Sequence, residues 1–188
     1  MMPDLECFLE KIRDNALKAE GCIKSGKYGD SIEYMKLIIK DDSEFVFPEL
    51  KIKECCDIKF EAFKEMNYCL MNLNGNDIKA VFRKQKYGLY HYMAKLISLP
   101  LNCSAPSLFE EVHHSLQHSA LPKNMELMNY YNFNGKNGVM EQCAYYWRIM
   151  IFPENKKKKD KIILPDNFEN MLKKSHEEII GLEKSIIY

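Results

Sequence analysis

Between Lys24 and Ile39 the chain reads Lys-Ser-Gly-Lys-Tyr-Gly-Asp-Ser-Ile-Glu-Tyr-Met-Lys-Leu-Ile-Ile, a tight turn at Gly26 to Gly29 set between two amphipathic stretches. Upstream, Leu5, Phe8, Leu9, Ile12, Ala16, Ala19 and Ile23 recur at steps of three or four, and downstream Ile32, Met35, Ile38 and Ile39 share one side. This spacing predicts a helix from Leu5 to about Ser25, capped by Asp4, and a second opened by a capping box of Asp30 and Glu33. The second helix is expected to stop near Asp41-Asp42-Ser43. Two helices joined by so few residues must lie antiparallel, so the chain opens as a helical hairpin.

Downstream, the segment from Glu49 to about Leu73 is rich in Ile52, Cys55, Cys56, Ile58, Phe60, Phe63, Met66 and Leu70. It reads as a second, more compressed hairpin broken near Asp57 to Phe60. Asn74-Gly75-Asn76-Asp77 marks a stop and restart. From Ile78 to Ile97 the pattern Ala80, Val81, Lys84, Tyr87, Gly88, Tyr90, His91, Ala94 and Leu96 suits a buried helix, in which Ala80, Gly88 and Ala94 let a neighbour come close. Ser107 and Glu110 form a capping box for a helix through about Ala120. Asn129 to Gly138 reads as a loop, and Val139 to Ile151 as a helix holding the only tryptophan, Trp147. A basic loop (153–165) precedes a last helix (166–188), capped by Asp166 and Glu169 and apolar along Phe168, Met171, Leu172, Ile179, Leu182 and Ile186. Period-two alternation is nearly absent, so strands are not expected. The expected fold is therefore all-α: one helical domain over 1–188, built of antiparallel hairpins stacked as a short array with a C-terminal capping helix. A compact helical bundle is the alternative.

With 46% hydrophobic and 12% aromatic residues, the 188-residue chain has enough apolar surface for a core. Its 27 basic and 27 acidic residues cancel, which argues against a nucleic-acid partner. The start, Met1-Met-Pro-Asp-Leu-Glu, carries charge where a signal peptide needs an apolar core. No apolar run approaches the roughly 20 residues of a membrane span. The expectation is a soluble, intracellular protein, cytoplasmic or nuclear. Seven cysteines, an odd count with no Cys-x-x-Cys pair, read as reduced thiols packed as small hydrophobes.

The segment from Leu17 to Ser43 resembles one tetratricopeptide repeat. Ala19, Gly26, Tyr28, Ser31, Tyr34 with Met35, and Ile38 stand where that family has its small helix-crossing residues, its turn glycine and its aromatics. A poorer match runs through Cys55 to Phe63, with Ala62 as the small residue. It leads into Asn76-Asp-Ile-Lys-Ala-Val-Phe-Arg83, similar to the third repeat of co-chaperone and immunophilin-type members. The resemblance spans roughly residues 5–100 and implies a groove that holds a peptide or helix of a partner protein. In those relatives the Lys and Arg of this string grip the carboxylate end of a chaperone tail, which points to Lys79 and Arg83. Ala16, Glu20 and Glu49 fall where the rest of that clamp would need other side chains. On a helix Lys79, Arg83 and Tyr87 would lie at four-residue steps and line such a groove: Arg83 would orient a carboxylate or carbonyl, Lys79 would add charge, and Tyr87 would pack on an apolar anchor.

A second constellation is Glu110-Glu-Val-His-His114 with His118. On a helix Glu110, His114 and His118 share one face, with Glu111 three residues before His114. Carboxylate-bridged metal bundles use such spacing, but a second Glu-x-x-His is missing, so the plain reading is a polar helix face. No Gly-x-Ser-x-Gly or glycine-rich phosphate loop occurs. The run Lys156 to Lys161 reads as a solvated loop, and Tyr130, Tyr131 and Phe133 as either a stacking surface or loop packing. The expected function is an adaptor binding a protein or peptide partner, with no catalytic residue, metal or cofactor. A self-associating or docking regulatory bundle is the alternative. A metal-dependent enzyme using Glu110, His114 and His118 is the third reading.

Overall fold

The structure, a computed structural model, describes residues 5–46, 52–54, 58–60, 66–73, 76–91, 94–120 and 139–155. Among the described residues four helices run over Leu5–Lys24 (α1), Tyr28–Val46 (α2), Ala105–Ala120 (α3) and Val139–Ile151 (α4), with a 3-10 turn at Pro153–Asn155. Between α2 and α3 lie six strands: Ile52–Glu54 (β1), Ile58–Phe60 (β2), Met66–Leu73 (β3), Asn76–Arg83 (β4), Leu89–His91 (β5) and Leu96–Pro100 (β6). The all-α expectation is thereby corrected. The protein combines helices with a mixed β-sheet, and neither a stack of hairpins nor a helical bundle describes it.

The opening hairpin stands where the spacing puts it. Phe8, Ile12, Ala16, Ala19 and Ile23 of α1 are buried against Ile32, Met35, Ile38 and Ile39 of α2. Between them, Lys27 N–H donates to Cys22 O at 2.8 Å and Gly26 N–H to Ile23 O at 3.0 Å. This paired closure satisfies the last carbonyls of α1 and puts Gly26 at φ 71°, a left-handed conformation that costs glycine nothing. The helix α2 starts at Tyr28, two residues before the expected cap. It also runs through Asp41-Asp42-Ser43 to Val46, because Asp42 finds a partner inside the protein: its Oδ2 lies 2.7 Å from His113 Nδ1 of α3, both side chains fully buried.

In the sheet the order is β1-β3-β4-β6-β5, with β2 also pairing β3. The β3 and β4 strands form an antiparallel ladder down to Leu73 opposite Asn76. The β4 and β6 strands pair in parallel, with Ala80 opposite Ile97 and Phe82 opposite Leu99, and β5 closes antiparallel on β6. Ile78, Ala80, Phe82, Ile97 and Leu99 thus share one face, and all five join the helices in a single core. The alternation in Ile78-Lys-Ala-Val-Phe-Arg83 is strand-like; the expected helix over 78–97 is β4, β5 and β6 instead, and the expected hairpin before it holds β1, β2 and β3. Aromatic rings close the core at two points. Phe8 stacks on Phe45 at 4.1 Å, with Trp147 of α4 edge-on to both, and Tyr28 packs on Phe82 at 5.1 Å, tying the start of α2 to the sheet.

The helix α3 begins at Ala105, two residues earlier than the expected capping box: Ser104 O accepts the Leu108 N–H, and the Ala105 N–H is capped by Glu20 Oε2 of α1 at 2.8 Å. Among the described residues no helix is long and apolar enough to cross a membrane. The expected C-terminal helix (166–188), the basic run at Lys156 to Lys161, Ala62, and the aromatic segment with Tyr130, Tyr131 and Phe133 lie outside the described residues.

Candidate functional site

The connection from β4 to β5 has to cross the end of β6, because β6 sits between the two strands it joins. Where it returns to the sheet, residues Lys86 to Tyr90 form one wall of a cleft of about 640 Å³. The turn after β6, including Asn102, Cys103 and Ser104, closes one end. The opposite wall is a single face of α3, Ser107, Glu110, Glu111, His114 and His118, joined by Arg148 of α4. The wall reflects helical spacing, since positions three, four, seven, eight and eleven residues apart fall on one side.

Each polar group in the wall has a defined setting. Arg148 Nη1 donates to Glu110 Oε2 at 2.5 Å, and its guanidinium sits 5.0 Å over the Tyr145 ring, so one positive charge is balanced and braced. The His114 Nδ1 and Gln117 Oε1 share a hydrogen bond at 2.9 Å within α3. His118 packs its ring against Tyr90 at 5.3 Å. Burial pushes the Tyr90 phenol up to about 12, so it remains a hydrogen-bond donor at neutral pH. Cys103 is likewise pushed up to about 12, first by burial and then by the negative charges of Glu111 and Glu20. It stays a thiol, not a nucleophilic thiolate. Gly88 lies directly on Glu111: a Cβ at this position would stand 2.8 Å from Glu111 Cγ, so only glycine lets the loop approach this closely.

The rim differs in character from the walls. Tyr87 is 69% exposed and Leu89 53%, two of the few large hydrophobic side chains the described surface presents. Lys86 Nζ lies 5.0 Å over the Tyr87 ring. The result is a polar trough bordered on the sheet side by an apolar lip.

The three side chains expected to line a helical groove are redistributed. Lys79 is exposed on β4 and does not reach the cleft. Arg83 ends β4, on the sheet face away from the core, and donates from Nε to Ser98 Oγ at 2.9 Å. Tyr87 lies in the loop beyond the strand and lines the cleft. Their shared helix face is therefore corrected to a strand and a loop. Glu110, Glu111, His114 and His118 do share the face expected of them and are brought together in the cleft. Among the described residues, however, no three His, Cys, Asp or Glu side chains form a group that could hold a metal ion. Sequence reasoning passed over Arg148, Gln85 and Ser98. Only Arg148 carried a signal, as the lone cation of α4.

No family model, curated protein or solved structure matches the chain.

Proposed function

We propose that the protein is a recognition module that holds an extended segment of a partner protein in the cleft between β5 and α3. The observation that carries this reading is the exposed pair Tyr87 and Leu89 on the lip of a polar trough at the outer strand of the described sheet. Exposed aromatic and aliphatic side chains beside a cleft are what anchors an incoming chain, and an outer strand offers it backbone hydrogen bonds. Below the lip, the Tyr90 phenol, the His114 and His118 rings, and Glu111 supply donors and acceptors for one polar side chain of the guest. The adaptor role expected from sequence is kept, but on a different surface: Tyr87 remains in it, Arg83 supports it from behind, and Lys79 has no part.

The test is selection of displayed random peptides on the purified protein. Selected peptides should lose at least tenfold in affinity to Tyr87→Ala and to Leu89→Lys, and keep full affinity for Lys79→Glu. On binding, amide exchange should slow at Leu89 to His91. Peptides that bind equally to all three variants, or that leave exchange in β5 unchanged, would remove the cleft from consideration as a peptide site.

A further inference from the structure

The loop carrying Tyr87 is fastened by a side-chain relay built on three hydrogen bonds of one amide. Gln85 Nε2 donates to Tyr87 O at 2.5 Å and to Ser98 O at 3.0 Å, spending both of its hydrogens. Its Oε1 accepts from Ser98 Oγ at 2.6 Å, and Ser98 Oγ in turn accepts from Arg83 Nε at 2.9 Å. Ser98 is fully buried in β6, directly beside Val81 of β4 and Leu89 of β5. A loop that leaves one strand and crosses the end of the next removes its backbone groups from the ladder, and each then needs another partner. Here the Tyr87 carbonyl is met by Gln85, whose other two bonds anchor it to the middle strand.

We infer that Gln85 and Ser98, backed by Arg83, are positioning residues that hold the Lys86–Gly88 loop in its binding conformation before a partner arrives. This inference rests on the peptide-cleft reading above and adds to it the device that makes the lip stiff. Tyr87 is 69% exposed, so few packing contacts fix it, and its place depends on its backbone. A carbonyl hydrogen-bonded at that residue fixes the ring's point of attachment. Ordering such a loop in advance spares the complex the entropy of ordering it on binding. Removing the relay should therefore weaken binding without altering any group that touches the guest.

The experiment is backbone amide relaxation by NMR on the unliganded chain, with binding of a peptide selected on the native protein measured in parallel. In the native protein Lys86 to Gly88 should show the order of rigid backbone, about 0.85, and in Gln85→Ala should drop toward 0.6 or below. Ser98→Ala removes the hydroxyl but keeps the Ser98 carbonyl, so its effect should be smaller and in the same direction. Peptide affinity should fall roughly 2- to 10-fold in Gln85→Ala, with the dissociated loop disordered and the helices unaffected. Unchanged order at Lys86 to Gly88 in both variants overturns the inference, whatever happens to binding. If no peptide binds the native protein, the cleft reading falls while the relaxation result still decides whether the relay stiffens the loop.

Discussion

Replacing Asp42 by Ala removes one partner of a fully buried pair. The Asp42 Oδ2 and His113 Nδ1 lie 2.7 Å apart with no exposed side-chain surface on either residue. The truncation leaves the imidazole in the core with that bond unmade, and stranding a buried hydrogen-bonding group costs about 1–3 kcal/mol. An exposed pair would be worth under about 1 kcal/mol, so the two cases are separable. At about 2–4 °C per kcal/mol for a chain of this length, the melting temperature should fall by roughly 2–12 °C. Urea unfolding followed by circular dichroism and by Trp147 emission provides the assay, and the indole ring is a local reporter because it lies 6.5 Å from the His113 ring. The pair Asp42→Leu and His113→Leu should together cost clearly less than the sum of the two single changes, since no polar group is then stranded. A loss below about 1 kcal/mol in Asp42→Ala, or strict additivity in the cycle, would refute the claim that Asp42 and His113 are bonded to each other in the core.

Other consequences can be checked more briefly. Gly26→Ala should cost about 1–2 kcal/mol in urea unfolding, wholly from the left-handed backbone, because no atom lies within 4 Å of the added methyl. Cys7, exposed on α1, should be alkylated by iodoacetamide at pH 8 well before Cys103, whose thiol is buried and held protonated; peptide mass mapping over time reads the order. Glu154 is bonded to Arg13 at 2.8 Å and that bond holds its carboxyl below the usual range. A lowered carboxylate contributes stability above its unfolded value and loses it as pH falls through the folded one. Glu154→Gln should therefore cost a few tenths of a kcal/mol at pH 7, this half-exposed pair being screened by water, and nothing once pH is taken below the carboxylate range.

The helices were legible because each shows its period over many residues. Five buried positions in α1 and the glycine closure after it leave little freedom, and Glu110, His114 and His118 could be placed on one face for the same reason. Three of the strands were not legible as strands because they are short. Ile52–Glu54, Ile58–Phe60 and Leu89–His91 hold three residues each, too few for alternation to be distinguished from helical spacing. In β4 the alternation was present but obscured, since Val81 is buried on the face opposite Ile78, Ala80 and Phe82. One apolar residue between Lys79 and Arg83 is enough to interrupt the polar half of the pattern. Asp41-Asp42-Ser43 misled in the opposite way. Acidic residues end a helix unless something inside the protein accepts them, and His113, 71 positions later, cannot be assigned to that task from spacing.

The same ambiguity explains why Lys79 and Arg83 keep a common side although the expected helix is a strand. Residues four apart share a face on a helix and also on a strand, since four is close to one helical turn and is two full strand periods. Lys79 and Arg83 therefore stay on one side whichever element carries them. Extending the step to Tyr87 fails, because β4 ends at Arg83 and the chain turns to cross β6. What links Arg83 to Tyr87 is Ser98 and Gln85, one from a parallel neighbour strand and one from the crossing loop. Only the insertion of β6 between β4 and β5 creates that link. A hydrogen-bond relay assembled across such a crossover is visible once strand order is known, and no pattern within residues 79–87 encodes it.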